Sequence, residues 1–188
     1  MRRALLVLAL LVGLPASAHE IADPRVLVVV ASKDKIELRV NEMTPVPESE
    51  VLRRRFDGDR NGTLDDSERS DLASFLVVRA TRHLKVEESG TSLLLTYTDR
   101  KLRNVGMRVD ATEPLAIDVV LEARPAGAEA VTLTLSDRYD DEHPVRVAVT
   151  ALGVTLEHAS AGALDAKRGR VVGASLDRTQ TLTLRYRR

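Results

Sequence analysis

Asp57-Gly58-Asp59-Arg60-Asn61-Gly62-Thr63-Leu64-Asp65-Asp66-Ser67-Glu68 is the stretch from which the rest of the chain can be read. Oxygen-bearing residues stand at its alternate positions: Asp57, Asp59, Asn61, Thr63 and Asp65, with Glu68 closing it. A hard divalent cation takes about six to eight oxygens at about 2.3 to 2.6 Å, and a loop of this length can supply them while wrapping once round the ion. Asp57, Asp59 and Asn61 would give side-chain oxygens, Thr63 its backbone carbonyl, Asp65 a direct or water-bridged contact, and Glu68 both carboxylate oxygens. Gly62 falls where the chain must turn sharply, in a conformation that strains any residue with a Cβ. Leu64 follows as the short β-like contact beneath the ion. The expected ligand is Ca²⁺, held by Asp57, Asp59, Asn61, Thr63, Asp65 and Glu68.

The flanks predict a helix on either side. Pro45 and Pro47 end an extended piece, and Pro47 suits the first turn of a helix carrying Glu48, Val51, Leu52 and Phe56. Downstream, Asp65, Asp66 and Glu68 place negative charge in the first turn of a second helix, where the helix dipole favours it. Leu72, Phe75, Leu76, Ala80 and Leu84 recur at three- and four-residue steps and form one apolar stripe. Over about residues 48 to 84 the chain resembles the EF-hands of the calmodulin and parvalbumin superfamily. That resemblance implies a helix-loop-helix wrapped round calcium. The loop occurs once, and because EF-hand loops commonly pair, a single one must lean on another part of the protein.

Outside this unit the dominant period is two. Ile36, Leu38 and Val40 alternate with Lys35, Glu37 and Arg39, and Arg25 to Ala31 is a continuous run that reads as a strand covered on both faces. The alternation resumes after the helix pair at Leu93, Leu95 and Tyr97, at Val105, Met107 and Val109, and at Ile117, Val119 and Leu121. It continues through Val131, Leu133 and Leu135, then Val145, Val147 and Val149, then Val154 and Leu156, and ends at Leu182, Leu184 and Tyr186. Turn signals such as Glu88-Ser89-Gly90, Thr112-Glu113-Pro114 and Pro125-Ala126-Gly127 lie between them. The expected fold is α+β: a mostly antiparallel, sandwich-like β body, with the helix-loop-helix inserted at 46–84 between the second and third strands.

Met1 to Ala18 reads as a secretory signal peptide. It has a basic end at Arg2 and Arg3, an apolar run from Ala4 to Leu14, and the small-residue cleavage site Ala16-Ser17-Ala18. The mature chain, 19–188, is then a single exported domain, periplasmic or extracellular, with His19 at its start. Removing Arg2 and Arg3 from the 28 basic residues leaves 26 against 28 acidic ones, so neither sign dominates. With aromatics at 3%, this composition speaks against a nucleic-acid partner, which would demand a basic face with stacking rings. Zero cysteines exclude disulfides, thiol nucleophiles and Cys-based zinc sites.

Enzyme motifs are missing. His19-Glu20 is followed by Asp23 where a zinc protease would need His, and neither Ser92 nor Ser175 sits in a Gly-x-Ser-x-Gly elbow. The protein is therefore expected to be non-catalytic. The order of a mature start at His19, two early strands, an acidic loop between helices and further strands resembles the secreted domains that accompany bacterial nickel/cobalt permeases. That likeness implies a membrane metal permease as partner. The amino group and imidazole of a mature His19 could chelate copper or nickel if a second histidine among His83, His143 and His158 comes close, but a frayed polar terminus is the plainer expectation. Asp137, Asp140, Asp141 and Glu142 lack the loop's spacing and read as a solvated turn. Arg53, Arg54 and Arg55 read as a solvated helix face that offsets the charge of the loop.

Overall fold

The computed structural model describes residues 25–103, 108–126, 129–138 and 144–188. Two strands come first, β1 (Arg25–Ser32) and β2 (Ile36–Thr44), followed by helices α1 (Val46–Phe56) and α2 (Asp66–Thr81). Then come β3 (Leu84–Glu88), β4 (Thr91–Ser92), β5 (Thr96–Arg103), β6 (Leu115–Ala123), β7 (Ala130–Asp137) and β8 (Val145–Leu152). The described chain ends with β9 (Thr155–Ala159), β10 (Ala163–Asp165), β11 (Arg170–Leu176) and β12 (Thr181–Arg187). A seven-stranded sheet runs β10-β11-β8-β1-β2-β6-β5, and a five-stranded sheet runs β4-β3-β7-β12-β9. The body is thus mostly β with two sheets, and both helices stand between the second and third strands. Among the described residues no helix is long and apolar enough to cross a membrane.

Alternation sets the register. Leu38 lies opposite Leu121 and Val40 opposite both Val119 and Leu27, so the inward side chains of β1, β2 and β6 share one face. A slip of one residue would turn all of them outward. In the narrow sheet Leu182, Leu184 and Tyr186 lie opposite Leu135, Leu133 and Val131. Residues of both sheets and both helices join one buried cluster.

Three expectations change. β1 pairs antiparallel with β2 but parallel with β8, which the period-two pattern does not reveal. Its Leu27, Val29 and Ala31 are fully buried, whereas Val26, Val28 and Val30 are only half-buried on the other face. Lateral shielding by two neighbouring strands, rather than a second covering layer, accounts for that run. Leu84 leaves the helical stripe: α2 stops at Thr81, the Arg82 amide donates to Val78, and Leu84 opens β3 beside Val86. Leu93, Leu95 and Tyr97 do not form one strand. Ser89 and Gly90, at φ 50° and 84°, close a tight hairpin from β3 to the short β4, and β5 starts only at Thr96. Tyr97 is 46% exposed, beside a register shift in β5. Val105 and Met107 lie outside the described residues.

α2 packs on β2, β5 and β6 through Leu72, Ala73, Leu76 and Ala80. Phe56 of α1 meets Phe75 of α2 with ring centroids 5.6 Å apart. At the far end of α2, Arg79 donates to Glu42 at 2.7 Å, to Glu48 at 2.6 Å and to the Thr44 hydroxyl. Arg25 donates to the carbonyl of Ala80 at 2.6 Å. The helix pair is therefore gripped at its base by buried charge, and the connecting loop is presented at the opposite end.

Candidate metal centre

Asp57 ends α1, its amide donating to the Arg53 carbonyl at 3.0 Å. Its carboxylate then organises the turn, with Oδ1 accepting from the Asn61 amide at 3.1 Å and Oδ2 from the Gly62 amide at 3.0 Å. Asp59 accepts the Asn61 amide at 3.0 Å and the Asn61 side-chain amide at 2.7 Å. Asn61 Oδ1 in turn accepts from the amide of Thr63 at 2.8 Å and from its hydroxyl. Gly62 has φ 83°, the left-handed conformation expected of it. Arg60, at φ 60°, shares that region without a glycine's freedom, a strained position the spacing does not announce.

α2 begins with a capping box. Asp65 accepts from the Glu68 amide at 2.8 Å, and Glu68 Oε2 accepts from the Asp65 amide at 3.0 Å. Glu68 also reaches across the loop, Oε1 accepting from the Gly58 amide at 2.6 Å. One side chain thus spans the loop from its second residue to its last.

Asp57, Asp59 and Glu68 each offer a carboxylate oxygen, and the three oxygens lie within 4.8 Å of one another. Asp57 is buried, Glu68 half-buried and Asp59 exposed. Like charges this close repel by about 1 kcal/mol per pair even in water, more where solvent is excluded, and a dication between them would reverse the sign. The donors are all oxygens, as hard cations require. The residues present therefore fit a hard divalent ion. Asp65 stands outside the cluster because its carboxylate caps α2, and Asn61 faces Asp59 and Thr63. The structure thus gathers three of the six expected ligand residues, Asp57, Asp59 and Glu68, closely and keeps Asn61, Thr63 and Asp65 on the same short loop.

Leu64 is buried at 1% exposure beneath the loop. The β-type contact falls one residue earlier: Thr63 forms an antiparallel bridge with Arg108, and the Val109 amide donates to the Gly62 carbonyl at 3.1 Å. The support that a single loop requires thus comes from Arg108 and Val109, more than forty residues away, where no local pattern marks it.

The arginine run divides three ways. Arg53 is fully buried and donates to the carbonyls of Ala111 at 2.9 Å and Glu113 at 2.8 Å, and burial holds its guanidinium below the ordinary value. Arg54 pairs with Glu50 at 2.7 Å on the exposed side. Arg55 lies over the Phe75 ring, 5.7 Å from its centroid. The solvated-face reading fails for Arg53 because Ser49, Leu52, Arg53 and Phe56 follow the i, i+3, i+4, i+7 spacing of a buried stripe. Val51, off that stripe, is 64% exposed.

Asp137 is also corrected. It ends β7 fully buried and accepts from Arg25 at 2.6 Å, so it is no part of a solvated turn. Asp140, Asp141, Glu142, His143 and His19 lie outside the described residues. His83 follows the end of α2, and His158 is exposed on β9.

No protein-family profile matches this chain, and no curated protein matches it.

Proposed function

We propose that the protein binds Ca²⁺ in the 57–68 loop, as a single EF-hand set into a non-catalytic β body that works outside the cytoplasm in binding or interaction. The observation that carries this is the meeting of the Asp57, Asp59 and Glu68 oxygens within 4.8 Å, around a loop turned by Gly62 at φ 83°. Asn61, Asp65 and the Thr63 carbonyl would complete an all-oxygen set. Calcium suits it better than magnesium, which holds to a near-octahedral shell and keeps its water.

The ion would supply charge neutralisation and stiffness. Asp57 belongs to the end of α1 and Glu68 to the first turn of α2, so a shared cation fixes the two helices against each other. Extracellular modules of this kind bind at about 10⁻⁴ to 10⁻³ M, which favours a structural ion over a fast sensor. The Met1–Ala18 leader supports export to a calcium-containing compartment.

Calorimetric titration of residues 19–188 with CaCl₂, paired with thermal melts, tests the reading. Heat of binding and a rise in melting temperature are expected. No heat, together with a melt indifferent to millimolar calcium, would sink it.

A further inference from the structure

The connector between β5 and β6 is tied to the cation loop and to α1 at successive points. Val109 donates its amide to the Gly62 carbonyl at 3.1 Å, and Arg108 bridges Thr63. Arg108 is itself held by a two-pronged pair with Asp110, at 2.8 and 2.7 Å. Fully buried Arg53 then grips the carbonyls of Ala111 and Glu113, and Ser49 Oγ accepts the Leu115 amide at 2.9 Å while donating to the Thr44 carbonyl at 2.8 Å. Residues 108–115 are thus laced onto the very helix whose last turn leads into Asp57.

We infer that Arg108–Val109 is the built-in partner strand of the cation loop, with Arg53 as its positioning residue, so that cation binding and the order of residues 108–115 are one linked equilibrium. The inference rests on the calcium reading above and adds to it the part of the fold through which occupancy is felt.

The physical basis is direct. Gly62 and Thr63 stand between Asn61 and Leu64 in the ligand-bearing turn, and a carbonyl fixed by Val109 restricts the backbone that must hold the shell. Ordering the loop with an ion lowers the cost of keeping Val109 docked, and docking Val109 lowers the cost of ordering the loop. Linkage requires the two effects to be equal.

Hydrogen exchange of residues 19–188, read on peptides spanning 57–65 and 108–115, tests it with and without CaCl₂. Calcium is expected to slow exchange in both segments. Val109→Pro, which lacks the donor, should bind calcium about five- to tenfold more weakly, the effect of one lost hydrogen bond, while Val109→Ala, which keeps it, stays within about twofold of wild type. Arg53→Lys keeps the charge but cannot span both carbonyls, and should reduce the calcium-dependent protection of 108–115. Should Val109→Pro not fold, the wild-type exchange pattern and Arg53→Lys decide. Calcium that protects 57–65 but leaves 108–115 unchanged overturns the coupling alone. Absence of both heat and loop protection overturns the calcium reading and the coupling with it.

Discussion

Asp137 accepts a hydrogen bond from Arg25 at 2.6 Å across 112 residues of sequence, and both side chains are almost wholly removed from water. Arg25 opens β1 in the wide sheet and Asp137 closes β7 in the narrow one. The same guanidinium holds Glu42 at 2.9 Å and the Ala80 carbonyl, so one side chain fastens both sheets and the end of α2. Removing one partner of such a pair strands the other charge in a poor solvent. Asp137→Ala should therefore cost about 3–5 kcal/mol in urea unfolding, far more than an exposed pair would. A double-mutant cycle with Arg25→Met should return a clear coupling energy, and additive losses would show that the two groups do not act together.

Gly62 and Gly162 have nearly the same backbone, at φ 83° and 78°, but differ in their surroundings. A Cβ at Gly62 would meet nothing within 4 Å, whereas one at Gly162 would lie 2.8 Å from Ala174 N and from Val171 Cγ1. Gly62→Ala should cost only the left-handed strain, about 1–2 kcal/mol, which for a chain of this size lowers the melting temperature by about 2–4 °C per kcal/mol. Gly162→Ala should lose a further amount of about 1–3 kcal/mol through overpacking against β11. Calorimetric melts of the two variants compare them directly. Equal losses would contradict the close approach of Gly162 to β11.

Much of this was legible because local physics decides it. The alternation of Ile36, Leu38 and Val40 requires one buried face, and the spacing of Asp57, Asp59, Gly62 and Glu68 marks the turn by itself. Arg53 was readable too: it stands with Ser49, Leu52 and Phe56 on one helical stripe, and only its charge argued for solvent. Leu84 satisfied two periods at once, four residues after Ala80 and two before Val86, so periodicity could not place the boundary between helix and strand. The parallel pairing of β1 with β8, the burial of Asp137 and the docking of Val109 on Gly62 depend on partners far away in sequence. Their energies arise only when the chain closes on itself, and no local pattern encodes them.

Tyr186 packs fully buried between the sheets, and burial pushes its hydroxyl above the ordinary value of 10.0. A group whose folded value is raised holds its proton more tightly in the native state. The stability it contributes is whole below about pH 10 and is lost as pH rises through the folded value. Wild type should therefore lose stability relative to Tyr186→Phe on the alkaline side, while the difference between them stays level from about pH 7 to about pH 9. Urea melts from about pH 7 to about pH 11 read the difference. Parallel curves above pH 10 would mean that the phenol reaches water before the protein unfolds.

Glu68 offers the sharpest separation of ion binding from plain helix capping. Its two oxygens accept from the Gly58 and Asp65 amides, and Glu68→Gln keeps the shape and one acceptor while removing the charge. Without calcium the lost hydrogen bond, about 0.5–1.5 kcal/mol, is offset by relief of the repulsion from Asp57 and Asp59, so the variant should stay within about 1–2 kcal/mol of wild type. Under calcium a wild-type site near 10⁻⁴ M gains about 2.7 kcal/mol at a hundredfold excess over its dissociation constant, because only the native state binds. Glu68→Gln, lacking the bidentate carboxylate, should gain almost none of this. Wild type should therefore melt several degrees higher in about 10 mM CaCl₂ than in a chelator, a condition that brings the site to that excess, while the variant stays put. If both proteins gain equally, the ion sits elsewhere and Glu68 serves the helix alone.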